Sequence, residues 1–197
     1  MVRAPDSEPI GPFTFEEFLE FEQESELKHE LVDGFSYPWE EANPAYGLAG
    51  ASRRHQRVVR NIDYVLGPAA LRKGCETFGS DMLLRVSERL AYYPDLQLIC
   101  DPSDDHELYS TRPCVVFEVL SRRTARVDRA EKVLAYRALP SLQAYLIVHQ
   151  DRRDVERHWR DAEGEWQLAS ITEGSVPVPC LDIGLPLDAI YAGILED

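Results

Sequence analysis

The sequence predicts an α/β (α+β) fold, a mixed β-sheet flanked by helices. Three observations predict it. Short apolar runs such as "CVVFEVL" and "LQAYLIVHQ" are rich in Val, Leu, Ile and Phe, as buried strands are. Residues 52–66 and 126–139 instead carry their apolar side chains at helical spacing. Helical and strand-like segments alternate along the chain, which is the pattern of a layered fold.

Each element has a local reason. Residues 1–12 are rich in Pro, Gly and acid and read as a flexible N-terminal arm; residues 13–197 read as a single domain. "TFEEFLEFEQE" opens with a capping box, Thr14 as N-cap and Glu17 three residues later. "KHELVDGFSYPW" reads as a hairpin turning at Asp33-Gly34. In 52–66, Val58, Val59, Ile62 and Leu66 mark one helical face, and Gly67-Pro68 is expected to stop the helix. "CETFGSDMLLRV", "AYYPDLQLIC" and "CVVFEVL" each read as a strand. "RVDRAEKVLAYRAL" reads as a helix, with Val133, Leu134 and Tyr136 to Leu139 toward the core and Pro140 ending it. "LQAYLIVHQ", "DVERHWR" and "EWQLASI" complete the strands, and "LPLDAIYAGIL" closes the chain as a short helix.

Composition narrows the function. With 197 residues and 44% hydrophobic content, the chain has enough apolar side chains for one well-buried core. No apolar run is long enough to span a membrane, and the start lacks a signal-peptide core, so a cytoplasmic protein is expected. The four cysteines are scattered without a CxxC pair. They read as small buried hydrophobes rather than disulfides or zinc ligands. A net charge of −14 argues against a sequence-independent nucleic-acid coat. Basic residues nevertheless gather in "SRRHQRVVR" (52–60), "SRRTARVDRAEK" (121–132) and "DRRDVERHWR" (151–160), either as one basic face or as solvated surfaces.

Two carboxylates stand out. Glu118 interrupts a buried strand, where an ionised carboxylate costs several kcal/mol without a counter-charge. Asp95 opens another strand 23 residues earlier. On neighbouring strands about 4.8 Å apart the two can converge, and close anions then require a cation or a proton. One reading is a shared divalent ion, for which Mg²⁺ suits carboxylate oxygens. The other is that each acid pairs with a local Arg or a backbone amide. Asp81, beside the apolar run "MLLRV", either points into the same cleft or is a turn acid.

The run "ELVDG" followed by a His-bearing helix, then "YYPDLQLIC", "FEVLS", "DRAEKVLAYR" and "SLQAYLIV", resembles the Uma-two-type restriction endonucleases of the PD-(D/E)XK nuclease superfamily. The resemblance covers about residues 13 to 195. It implies a restriction-endonuclease-like fold, metal-dependent hydrolysis of phosphodiester bonds, and DNA as substrate. It also implies Mg²⁺, with Mn²⁺ able to substitute, held by Asp95, Glu118 and the Val119 backbone carbonyl. Glu30 would be an outer ligand through water, or else a hairpin-face charge. The superfamily usually places Lys two residues after the Glu, where this chain has Leu120. Lys132 on the following helix fits that role, and Arg126 is the second cation to consider. His55 reaches a phosphate or is a surface residue at a helix start; Ser121 and Arg122 are candidates for substrate oxygens. A homodimer would bring two sites to the two strands of a duplex. Two other classes fit the paired acids: a degenerate nuclease fold that only binds nucleic acid or protein, and a glycoside hydrolase.

Overall fold

The computed structural model describes residues 9–39, 52–120 and 131–195. Helix α1 (Phe15–Glu24) is followed by the hairpin β1 (His29–Val32) and β2 (Phe35–Pro38), then by α2 (Arg53–Lys73). Strands β3 (Glu76–Gly79), β4 (Leu83–Ser87), β5 (Leu90–Tyr92), β6 (Leu96–Ile99), β7 (Tyr109–Ser110) and β8 (Pro113–Leu120) come next. Helix α3 (Val133–Arg137) precedes β9 (Ala144–His149), β10 (Val155–Arg160), β11 (Trp166–Ile171) and β12 (Ser175–Val178). A 3-10 turn (Pro179–Leu181), β13 (Ile183–Pro186) and α4 (Leu187–Ile190) end the described chain.

The expected α+β architecture of mixed sheet and flanking helices is present, and among the described residues the strands form two sheets and a separate hairpin. The first sheet has the order β2-β1-β5-β4-β7, the second β11-β10-β9-β8-β6-β3, and β12 pairs with β13 alone. Within the second sheet β8 and β9 run parallel. Two segments expected to be single strands are therefore divided. "CETFGSDMLLRV" gives β3 to the second sheet and β4 to the first, and "AYYPDLQLIC" gives β5 to the first and β6 to the second. Pro94 helps the second division, because it has no N–H to offer a ladder.

Side-chain alternation sorts the cores. In β8, Val115, Phe117 and Val119 face one way and pack with Val58, Ile62 and Leu66 of α2, together with β12, β13 and α4. Val116 and Leu120 face the other way, toward Val133 and Tyr136 of α3 and toward Val32 and Tyr92 of the first sheet. The far face of the first sheet buries Leu31, Leu83 and Ala91 under Phe15 and Phe18 of α1. Glu118, on the same side of β8 as Val116 and Leu120, thus points into the layer between the two sheets.

Several local expectations are met. Thr14 caps α1 in a complete capping box with Glu17. Asp33 (φ 53°) and Gly34 (φ 81°) turn the hairpin, with both φ values positive as a two-residue primed turn requires. Of the segment read as an arm, residues 1–8 lie outside the described residues, and Ile10 exchanges backbone hydrogen bonds with Ser36. Others are corrected. Helix α2 does not stop at Gly67-Pro68 but continues to Lys73 and is capped by Gly74 in the left-handed region. The carbonyl that Pro68 cannot bond belongs to Tyr64, on a water-exposed turn, and the added turns bury Ala69 and Ala70. Leu134 faces solvent. The cysteines are not separate hydrophobes: Cys75 bonds Cys100 and Cys114 bonds Cys180. Separations of 25 and 66 residues hide these pairings from the sequence. They form because β3, β6, β8 and the 3-10 turn meet at one end of the second sheet.

Candidate active site

Asp95 lies in the link that carries the chain from β5 in the first sheet to β6 in the second. Its Oδ2 accepts the backbone N–H of Val119 at 2.6 Å and faces His55 Nε2 at 3.1 Å. The imidazole donates there, since an ionised carboxylate only accepts. Asp95 is thereby fixed against the residue that follows Glu118. In an extended strand the N–H and C=O of one residue point to the same edge, so the Val119 carbonyl faces the Asp95 side as well.

Glu118 finds its counter-charge in Lys132. Lys132 Nζ donates to Glu118 Oε1 at 2.9 Å and lies 3.4 Å from Glu30 Oε1, so one ammonium bridges a carboxylate from each sheet. Tyr136 Oη also donates to Glu118 Oε1, at 3.1 Å. Burial, and then the Glu118 carboxylate, holds the Tyr136 hydroxyl well above its ordinary pKa, so it stays a donor. The Lys132 ammonium lies over the Tyr92 ring, 5.5 Å from its centroid. Tyr92 in turn donates to Glu131 at 2.8 Å. Glu30, His55, Asp95, Glu118 and Lys132 are all buried, at 7%, 2%, 7%, 4% and 5% exposure. Charged and titratable groups are almost never buried together unless they are paired.

A second layer holds the helix that brings His55. Ser52 caps α2 by accepting the His55 N–H, and its hydroxyl donates to Gln150 Oε1 at 2.7 Å. Gln150 Nε2 donates to the Leu120 carbonyl at 2.8 Å. The start of α2, the end of β9 and the end of β8 are so tied beside Asp95.

The sequence-derived candidates therefore separate. The structure brings together Asp95, Glu118, the Val119 backbone, Lys132, Glu30 and His55. Asp81 is not in this cluster: it is exposed at the β3–β4 turn and pairs with Lys28. A turn that switches sheets carries it outward. Ser121, Arg122 and Arg126 lie outside the described residues. Tyr136, which the helical pattern assigned to the core, and Gln150 and Ser52, which no motif singled out, belong to the site. Adjacency of Tyr136 to Lys132 by one helical turn was the available signal for the first. Nothing local marks the other two, whose partner is 98 residues away.

The donor set suits a hard divalent cation. Asp95, Glu118 and the Val119 carbonyl all offer oxygen, which is what Mg²⁺ and Mn²⁺ take. Beside this cluster, Arg53, Arg57 and Arg60 project along one face of α2 into a cleft of about 390 Å³ that also reaches Gly79 and Leu96. Asp63 also lines this cleft, and Leu96 follows Asp95 in the chain.

Comparison with known proteins gives three findings. A solved structure from Anabaena variabilis, described as a "putative nuclease", superposes with a TM-score of 0.68 at 17% identity, covering 93% of this chain and all of that one. Two uncharacterised proteins of Synechocystis are similar: one is 26% identical over 197 residues, 98% of this chain and 99% of the relative. The other is 31% identical over 162 residues, 80% of this chain and 86% of the relative. The family model Uma2, whose description is "Putative restriction endonuclease", matches residues 15–189. That span contains the whole carboxylate–lysine cluster and all but the edges of the fold, and the chain belongs to the Uma2 family.

Proposed function

We propose that the protein is a metal-dependent endonuclease that hydrolyses phosphodiester bonds in DNA. The observation that carries this reading is the burial of Asp95 and Glu118, with Asp95 bound to the amide that follows Glu118 and Lys132 on Glu118. Asp95, Glu118 and the Val119 carbonyl would hold Mg²⁺, or Mn²⁺ in its place, with Glu30 behind them. Such an ion supplies charge neutralisation at the phosphate and a lowered pKa for the attacking water. The chain's own residues do the rest. His55 and the Val119 amide fix one oxygen of Asp95, so that the carboxylate keeps one orientation. Tyr136 does the same for Glu118. Lys132 Nζ, shared between Glu118 and Glu30, is the group that orients the water or stabilises charge on the phosphate. Arg53, Arg57 and Arg60 give the DNA backbone its electrostatic approach, despite the net charge of −14. Ser121, Arg122 and Arg126 are retained as substrate contacts. Two copies acting together would cut both strands of a duplex. We place the activity in the cytoplasm; among the described residues no helix is long and apolar enough to cross a membrane.

The test is cleavage of supercoiled plasmid in Mg²⁺, Mn²⁺ or EDTA, paired with calorimetric titration of the metal. Wild type should nick the plasmid only with metal. Asp95→Ala, folded by circular dichroism, should lose both cleavage and metal binding. Equal metal uptake by Asp95→Ala would remove this site from the mechanism. DNA binding without cleavage under any metal would instead identify a nuclease fold used only for binding.

A further inference from the structure

All four cysteines of the chain meet at one place, at the end of the second sheet away from the acids. They come from four separate segments: Cys75 before β3, Cys100 after β6, Cys114 in β8 and Cys180 in the 3-10 turn. Beyond the two bonded pairs, Cys114 Sγ lies 3.7 Å from Cys100 Sγ. Neither sulfur carries a hydrogen while both are in disulfides, so this is a packing contact and not a hydrogen bond. The Sγ atoms of Cys100, Cys114 and Cys180 all lie within 4.8 Å of one another. Cys75, bonded to Cys100, is the fourth cysteine; its Sγ is not within that distance of all three, so it must swing toward Cys114 and Cys180 once its disulfide is reduced.

That spacing has a chemical meaning. Four thiolates around Zn²⁺ at about 2.3 Å form a tetrahedron whose S···S edges are about 3.8 Å. The Cys100–Cys114 contact already has that length. We propose that in the reduced chain these four cysteines form a tetrathiolate site for one Zn²⁺, and that the two disulfides are its oxidised form. Two equivalents of a dithiol reductant give their electrons and protons to the two disulfides, yielding four thiols and two molecules of oxidised reductant. Binding of Zn²⁺ then releases the four thiol protons. Either form ties β3, β6, β8 and the 3-10 turn together. A compartment that keeps thiols reduced selects the zinc form.

The site is separate from the carboxylates. Cys100 is five residues from Asp95 and Cys114 four from Glu118, which at about 3.3 Å per residue is about 16 and 13 Å along the strands. Its donors are soft sulfur, whereas those of the proposed nuclease centre are hard oxygen.

The experiment uses the full chain, reduced with a dithiol under argon and freed of reductant. Titration with Co²⁺ should give thiolate-to-cobalt charge-transfer absorption that saturates at one ion per chain and is displaced by Zn²⁺. With Zn²⁺ bound, the four thiols should react with a thiol reagent at least tenfold more slowly, and a chelator should restore the rate. Asp95→Ala should leave the cobalt spectrum unchanged. Cys180→Ser should weaken Co²⁺ binding at least tenfold. The proposal is overturned if reduced wild type shows no charge-transfer band, or if its thiols react equally fast with and without Zn²⁺. A reduced chain that unfolds and stays unfolded on adding Zn²⁺ overturns it equally.

Discussion

Replacing Lys132 with Met removes the one ammonium shared by Glu118 and Glu30 while keeping an unbranched apolar stem beneath Tyr92. Both carboxylates are then left in the layer between the sheets with less compensation. Breaking a buried pair in this way costs about 3–5 kcal/mol. The protein has a cheaper response, which is to protonate one carboxyl. For an ordinary glutamate with a pKa of about 4.3, that costs about 3.7 kcal/mol at pH 7 and about 1 kcal/mol at pH 5. The loss of stability therefore has a ceiling set by pH. The sign follows from linkage: a carboxyl forced neutral on folding binds a proton the unfolded chain has released, so stability falls as pH rises above about 4.3. Urea denaturation in EDTA should show Lys132→Met destabilised by about 3 kcal/mol at pH 7 and by about 1 kcal/mol at pH 5, at unchanged slope. Glu118→Gln in the same chain should return most of the loss. The variant's plasmid cleavage should fall about 10²-fold or more. An equal loss at both pH values would mean that packing, not charge, is what Lys132 supplies, and the account of Glu118 would fail.

Tyr136→Phe deletes the second donor to Glu118 Oε1 and should cost about 1.5–3 kcal/mol at neutral pH. Because folding raises the Tyr136 pKa, the wild-type hydroxyl opposes alkaline conditions, so the deficit should narrow above about pH 10 in parallel urea titrations. Arg53→Gln together with Arg60→Gln should weaken DNA binding across sequences and flatten the dependence of log affinity on log salt by up to about 2, with metal binding unchanged; an unaltered slope would exclude this face as the DNA path.

The parts of the fold that are legible in the sequence are those decided within a few residues. The Thr14–Glu17 capping box and the Asp33-Gly34 turn are set by local hydrogen bonds and φ preferences, and both are found as read. Glu118 was marked because charge is expensive in an apolar strand, and its burial follows. What the sequence concealed is decided by distant packing. In residues 91–100 only Pro94 hints at a division, and nothing local says that the two halves serve different sheets. Pro68 reads as a terminator because the burial of Ala69 and Ala70 is not visible locally. The cysteine pairings depend on which strands are neighbours. Likewise Lys132 could be nominated through the resemblance, but that it also reaches Glu30 depends on how the two sheets face each other.

The ion pair between the sheets joins residues 30 and 132, and the Ser52–Gln150 bond joins residues 98 apart. Closing such long loops is entropically costly, and contacts of high sequence separation form late and slowly. Glu118 lies in β8, and Lys132 lies within the crossover that the parallel pair β8–β9 demands. During synthesis, β8 with its acid leaves the ribosome before its cation and before the strand that must lie beside it. A nascent chain halted between β8 and β9 thus holds the acids of the site without the strand that completes the framework around their counter-charge. Assembly of the proposed centre is in this way coupled to completion of the second sheet.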